Sequence, residues 1–249
     1  MNNAFRVVEK ELYIYFKTYY TEIAFVLMFP VFLIGSMQLG IGDKVTIGAF
    51  KYIEFISPGV LMMAAITTAF FNTGFIMLFE KEYSESFQGL ITCPISSNEI
   101  SFGKILSGTI KSTINGIIIV IIVIAMIGYS PPWTIILSVP VIFLSSLVFA
   151  AMGLMLGVVL KKGYQLGTIG NLIILPMTFL GGMFFDVNTL PPTLRDVARA
   201  SPVTWMIDAL RKVMIYGDPN IIWECLGITV VFLLFFIIAV KVFDRTVIH

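Results

Sequence analysis

The chain has 249 residues, of which 58% are hydrophobic and only 12% charged, and its formal net charge is +1. Its mean hydropathy is +0.95, whereas a soluble domain carries about 25% charged residues and about 45–50% apolar ones. This composition requires an integral membrane protein, gives no electrostatic basis for binding nucleic acid, and at about 20 residues per span allows six or seven spans with no room for a separate soluble enzyme domain.

At the start of the chain, Phe5, Val8, Leu12, Phe16 and Tyr19 recur at three- and four-residue spacing, while Arg6, Glu9, Lys10 and Lys17 lie off that face. This pattern predicts an amphipathic helix over 5–20 at the membrane interface. It serves either as an anchor or as a surface that also touches a cytoplasmic partner. Charges then punctuate the spans. None occurs from Ile23 to Gly42 or from Phe55 to Phe79, the first two spans. The 49 charge-free residues from Ser112 to Leu160 are too many for one span. They divide at Gly128-Tyr129-Ser130-Pro131-Pro132, because Gly and Pro-Pro break helices. The third span begins near Ile100, with Lys104 and Lys111 expected to reach toward the headgroups. Gly163 to Phe185 is the fifth span and Ile221 to Val240 the sixth, with Glu224 in its first turn. The spans are helical because lipid cannot satisfy open backbone groups. The expected fold is therefore all-α: a single transmembrane domain over 1–249 with six spans.

Six spans put both termini on one side. With the termini in the cytoplasm, ten Lys and Arg face inward and six outward, in the direction of the positive-inside bias. The expected location is a plasma membrane, crossed several times. Trp133, Trp205 and Trp223 then share the outer interface, where aromatic belts sit. Cys93 and Cys225 fall on opposite sides and cannot bridge within one chain.

Two further segments are not simple spans. The 80–103 loop begins acidic with Glu80, Glu82 and Glu85, breaks at Gly89 and Pro94, and offers Ser96 or Ser97 as a helix cap with Glu99 close behind. It is longer than the roughly 2–8 residues that join helices in bundles, so it reads as a docking surface or as a solvated turn. The 181–219 segment is too polar to span. Pro191, Pro192 and Pro202 break it into two short helices that dip into the outer leaflet and return. Gly181, Gly182, Phe184 and Phe185 then stand at an external gate, or the segment is an interfacial cap with no traffic through it. Asp208 and Arg211, three apart, read as a structural pair.

The sequence lacks GxxxxGK[ST], so it has no phosphate cradle for a nucleotide. No CxxC or histidine cluster offers a metal site, and no acid–base set marks an intramembrane enzyme. With no charge expected at mid-membrane depth, an ion relay is also disfavoured.

This order of parts resembles the membrane subunit of ABC-2 type exporters. Two stretches carry the resemblance: Leu90 to Leu106 (LITCPISSNEISFGKIL), with its Thr-x-Pro-Ile-Ser and later Gly-Lys, and the series Pro176, Gly181, Gly182, Phe184, Phe185, Leu190, Pro191, Pro202, Asp208, Arg211 and Gly217. Ser201 departs from the Asn more usual before Pro202. The resemblance covers nearly the whole chain. It implies a permease subunit that pairs with a second copy, expected to be identical. It also implies a separate ABC ATP-binding subunit on the cytoplasmic face, and that ATP and Mg bind that partner rather than this chain. It carries the docking role to Glu80, Glu82, Glu85, Phe87 and Leu90. It lines the substrate path with spans two and five, here Thr68 and Asn72 with Gln165, Thr168, Asn171 and Thr178. The same polar residues serve equally as interhelical glue. An apolar, amphipathic, glycan- or lipid-type passenger fits this path. The rival functions are an ATP-independent secondary transporter, for which paired broken repeats are missing, and a non-transporting membrane anchor.

Overall fold

The structure is a computed structural model and describes residues 2–40, 44–47, 50–83, 96–128 and 131–248. Helix α1 runs Asn2–Gly40. A two-residue hairpin follows, β1 (Thr46–Ile47) antiparallel to β2 (Phe50–Lys51). The remaining helices are α2 (Tyr52–Tyr83), α3 (Ser97–Ile127), α4 (Ser138–Val159), α5 (Gly163–Leu180), α6 (Pro192–Ala200), α7 (Pro202–Arg211) and α8 (Ile222–Phe243). Short 3₁₀ turns occupy Trp133–Leu137 and Val187–Thr189, and π turns Lys212–Tyr216 and Asp244–Ile248.

Among the described residues, five helical stretches are long and apolar enough to cross a membrane: those built on α1, α2, α3, α4 and α8. The expected fifth span is a helix, α5, but only 18 residues long. Gln165, Thr168 and Asn171, with three glycines, make it less apolar than the others.

Several helix ends follow from single residues. Ser96, not Ser97, caps α3: its Oγ accepts from the Glu99 N–H at 3.3 Å, and the Glu99 carboxylate accepts from the Ser96 N–H at 3.1 Å. This reciprocal box satisfies two donors that a helix start leaves open. Gly128 ends α3 in the left-handed region with φ +65°, where a side chain would be strained. At the end of α4, Lys81 donates to the carbonyls of Val158 (2.6 Å) and Leu160 (3.0 Å), a cation placed where helix carbonyls lack partners.

Helix α2 is the centre of the bundle, packing on α1, α3, α4, α5 and α7. Its contact with α4 is backbone on backbone. A methyl at Gly153 would fall on the Phe70 carbonyl, and one at Gly157 on the Gly74 carbonyl. In lipid no hydrophobic drive separates helix from tail, so close approach through small residues supplies the association. Gly103 plays this part between α3 and α1, with the Ala4 carbonyl and Val7 Cβ both 2.9 Å from where its Cβ would lie.

The 5–20 segment is helical, but it is one helix with the following span and buries a stripe that shares only Val8 with the expected face. Ala4, Val7, Val8, Glu11 and Tyr15 face α3, whereas Phe5 and Phe16 are exposed. The aromatic stripe is the more apolar one, but the buried stripe fits the small surface at Gly103 and brings Glu11 to two lysines. The outward face of α8, including Trp223, Leu226, Val230 and Leu234, is exposed and suits contact with lipid tails.

Candidate functional site

Three adjoining features carry the polar chemistry of the bundle. The first is a cavity of about 640 Å³ between α1, α2 and α5, within the roughly 300–1,000 Å³ usual for small-molecule sites. Its wall is apolar on most sides, with Val26, Phe29, Met63, Phe71, Phe75 and Ile76. Polar groups enter from all three helices: Glu22 from α1, Thr67, Thr68 and Asn72 from α2, and Asn171 from α5. Thr68 and Asn72 are four apart and share a face; Thr68 returns its hydroxyl to the Ala64 carbonyl at 2.7 Å. Of the six expected path residues, the fold brings Thr68, Asn72 and Asn171 together here. Gln165 and Thr168 lie elsewhere on α5 and do not line the cavity. Thr178 is buried and bonded within its own helix, to Ile174 at 2.8 Å and Leu175 at 2.9 Å.

The second feature is a buried ionic cluster beside that cavity. Lys104 Nζ lies 2.6 Å from Glu11 Oε1 and also pairs with Glu80. Lys111 Nζ lies 3.3 Å from Glu11 Oε2, and Lys10 lies 3.1 Å from Glu80. Glu11, Lys104 and Lys111 are each only 2% exposed along the side chain. Lys111 also donates to Asn72 Oδ1 at 3.4 Å, and Asn72 Nδ2 donates to Glu22 at 3.3 Å. A polar chain thus runs from the cavity through Asn72, Lys111, Glu11 and Lys104 to Glu80, near the end of α2. Tyr15 and Asn115 close its far side with a 2.8 Å hydrogen bond.

This corrects two expectations. Lys104 and Lys111 do not reach out of the bundle; the carboxylates of α1 and α2 hold them inside it. A charge also lies deep in the bundle, because Lys111 is the fifteenth residue of the 31 in α3, about 21 Å from its start at 1.5 Å per residue. The missed signal was spacing: Lys104 and Lys111 are seven apart, so they share one face of a helix that carries few other charges. Glu22 was missed for the same reason, since charges were read as span boundaries. Of the expected docking residues, Glu80 belongs to this cluster. Glu82 is exposed, 3.7 Å from Lys81. Glu85, Phe87 and Leu90 lie outside the described residues.

The third feature is the 181–219 segment. Helix α7 is seated in the core by Val203, Met206, Ile207, Ala209 and Leu210, while most of α6 is exposed. The joint between them is pinned by the Thr204 hydroxyl on the Ala198 carbonyl (2.5 Å) and the Trp205 indole N–H on the Arg199 carbonyl (2.9 Å). Gly181 and Gly182 make the turn after α5. Gly182 has φ +88°, and a Cβ there would meet Val187 Cγ2 at 2.7 Å. Phe184 stacks obliquely on Phe179 at 5.3 Å, and its carbonyl accepts from the Tyr52 hydroxyl at 3.2 Å. Phe185 is half-buried beside the same turn.

Arg211 joins these pieces. Its guanidinium is buried, donates to the Gly182 carbonyl at 2.8 Å, and lies 4.0 Å above the centre of the Phe55 ring. The expected partner Asp208 is at 3.5 Å and its side chain is 45% exposed, so the Gly182 carbonyl at 2.8 Å holds Arg211 more closely than the carboxylate does. Burial pushes the Asp208 carboxyl above the ordinary aspartate range, with Arg211 opposing. Glu224, at the start of α8, pairs with Lys212 at 2.5 Å and ties the π turn after α7 to the last span.

The sequence pattern described as "ABC-2 type transporter" matches residues 5–215. The chain is 26% identical over 216 residues to the inner membrane transport permease YadH of Escherichia coli (strain K12), covering 86% of this chain and 81% of the relative. It is 26% identical over 191 residues to nodulation protein J of Rhizobium meliloti (strain 1021), covering 76% and 72%. Bradyrhizobium diazoefficiens has a nodulation protein J that is 26% identical over 181 residues, covering 71% and 68%. With a match over most of its length and several membrane-length helices, this chain belongs to the ABC-2 type transporter family as a multi-pass membrane permease.

Proposed function

We propose that the chain is the membrane-spanning subunit of an ATP-driven exporter. A separate ABC ATP-binding subunit hydrolyses ATP with its Mg on the cytoplasmic face, and two copies of the permease pair in the plasma membrane. The passenger is apolar, amphipathic, or of glycan or lipid type, and it moves outward through the cavity between α1, α2 and α5. The cavity is the observation that carries this reading. It is apolar-walled and polar at one corner, and the ionic cluster connects it to Glu80, the first residue of the 80–103 segment that docks the ATPase. Both termini lie in the cytoplasm. The Gly181–Gly182 turn and Phe184 and Phe185 form the outer gate, with Arg211 as its latch.

The test is purification of the tagged chain from its host in mild detergent, with mass spectrometry of the co-purifying proteins. A stoichiometric subunit bearing an ATP-binding cassette is expected. A chain that comes out alone, even after cross-linking in the membrane, removes the motor from the reading. Within the docking segment, Glu82 and Glu85 are the residues to reverse. Doing so should uncouple ATP hydrolysis from transport while the chain still inserts; Glu80 is unsuitable because its loss disturbs Lys104. Impermeant thiol reagents should reach Cys93 only from the cytoplasmic side.

One observation favours a second reading, an ATP-independent carrier, because the buried charges of Glu11, Lys104 and Lys111 are of the kind that relays protons or ions. Vesicles containing the chain alone separate the two: a passenger gradient driven by a pH or sodium gradient, without any ATPase, would establish the carrier.

A further inference from the structure

The cavity has one charged group in its wall, Glu22, and that carboxylate has no ion-pair partner among the described residues. Its contacts are neutral and long: the Asn72 amide at 3.3 Å and the Thr18 hydroxyl at 3.4 Å. The nearby cation, Lys111, is outside the cavity wall and is held by Glu11 at 3.3 Å. Asn72 stands between the two charges, accepting from Lys111 with its Oδ1 and donating to Glu22 with its Nδ2. Behind Asn72, Lys10, Lys104 and Lys111 share Glu11 and Glu80 and carry a net +1, so the polar chain is neutral as a whole, with its carboxylate end, Glu22, turned toward the cavity. A half-buried carboxylate in an apolar wall gains most from a cation delivered with its own apolar body, because the cation restores the interaction lost with water. Phe71 and Phe75, stacked at 5.7 Å between ring centres, line the same wall. Aromatic faces of this kind attract ammonium-type groups.

We propose that the cavity selects amphipathic cations, with the charged head against Glu22 and Asn72 and the apolar body over Phe71 and Phe75. The proposal rests on the reading of this cavity as the passenger route, and it narrows the passenger to a positively charged class.

The probes are tetraphenylphosphonium and tetraphenylborate, which share shape and apolar surface and differ in the sign of the charge. Saturable binding of each is measured by equilibrium dialysis to the full chain in phosphatidylcholine nanodiscs, with empty nanodiscs subtracted. The readout is the ratio of the two affinities. Glu22→Gln should lower the ratio at least tenfold by weakening the cation, with the anion bound no more weakly. Glu22→Asp should keep most of the preference. Asn171→Lys, which puts a cation across the cavity from an exposed position, should lower the ratio in the same direction and covers the case in which Glu22→Gln does not assemble. Absence of saturable phosphonium binding to the parent chain, or a ratio unchanged in both Glu22→Gln and Asn171→Lys, overturns the proposal. Phosphonium selectivity in a chain that captures no ATP-binding subunit would remove the exporter and leave the site standing. A captured subunit with an unchanged ratio would do the reverse.

Discussion

Glu11 is the residue whose loss the bundle should tolerate least. Its two carboxylate oxygens are divided between Lys104 (2.6 Å) and Lys111 (3.3 Å), and all three side chains are 2% exposed. At an effective dielectric of about 20, unit charges at 3.3 Å attract by about 5 kcal/mol, and the desolvation of both ions offsets much of that gain. What matters for a substitution is what it leaves behind. In Glu11→Met, Lys104 keeps Glu80, but Lys111 keeps only the Asn72 carbonyl at 3.4 Å and the Tyr15 ring at 5.9 Å. Removing one partner of a buried pair costs about 3–5 kcal/mol, so that loss is expected here. In Lys104→Met each carboxylate retains another cation, Glu11 with Lys111 and Glu80 with Lys10. Its cost should be clearly smaller, at most about 2 kcal/mol, the scale of a hydrogen bond to a charged group. Adding Lys111→Met to Glu11→Met removes the orphaned ammonium and should recover about 2 kcal/mol or more, because apolar residues of similar volume often replace a buried pair without loss. SDS-driven unfolding in mixed micelles, followed by tryptophan fluorescence, measures all four proteins. A Glu11→Met variant within about 0.5 kcal/mol of the parent, at the level of an exposed pair, would refute the reasoning, since the cluster would then behave as though hydrated.

Three further outcomes follow from the geometry. Arg211→Met should destabilise the 181–219 segment by about 2 kcal/mol or more through the lost charged hydrogen bond and ring contact, whereas Asp208→Asn should change it by less than about 1 kcal/mol because that pair is long and half exposed; protease resistance of the segment in nanodiscs ranks the two. Because burial raises the Asp208 carboxyl, the stability linked to its proton is present below the ordinary aspartate range and lost as pH rises through the raised folded value. Mild acid should therefore tighten this segment in the parent relative to Asp208→Asn, read by Trp205 fluorescence. Gly153→Ala should wedge α4 from α2, because its methyl would meet the Phe70 carbonyl; overpacking costs about 1–3 kcal/mol, and a thermal midpoint in detergent indistinguishable from the parent would contradict the backbone contact.

Much of the architecture was legible because it rests on local rules. The charge-free runs located most spans, Ser96 and Glu99 marked the start of α3 and Gly128 its end, and prolines at 191, 192 and 202 framed the two short helices. The six-span count rests on α5, which is helical but whose Gln165, Thr168 and Asn171 make its hydropathy ambiguous. The glycine pair at 153 and 157, four apart in an apolar run, is a sequence signal for close helix contact that charge punctuation passes over. The ionic cluster was illegible for a deeper reason. Each lysine by itself is best placed at the headgroups, and only the fold brings Glu11, 93 residues before Lys104, within reach to make burial tolerable. For the site, the spacing of Thr68 and Asn72 puts them on one face of α2, and the family resemblance pointed to that helix. Glu22 could not, because its role depends on α1 crossing α2 at that height.

The two kinds of contact in this bundle are shared unevenly among the helices. Small residues hold α4 to α2 and α3 to α1 at backbone distance, and such contacts lose their fit when the helices slide. Charges attach α1 a second time, through Glu11 to α3 and through Lys10 to the end of α2. Helix α5 has neither attachment among the described residues: it packs on α2, where Gly170 faces the Phe70 and Phe71 rings, and it presents Asn171 to the cavity. The cavity therefore has two fixed walls, α1 and α2, tied together by the polar chain behind Asn72, and one wall held by side-chain packing alone. A change in its width is least costly at α5. The Gly181–Gly182 turn at the end of α5 is the point where Arg211 donates to the backbone, so that hydrogen bond falls on the one wall that the ionic cluster leaves untied.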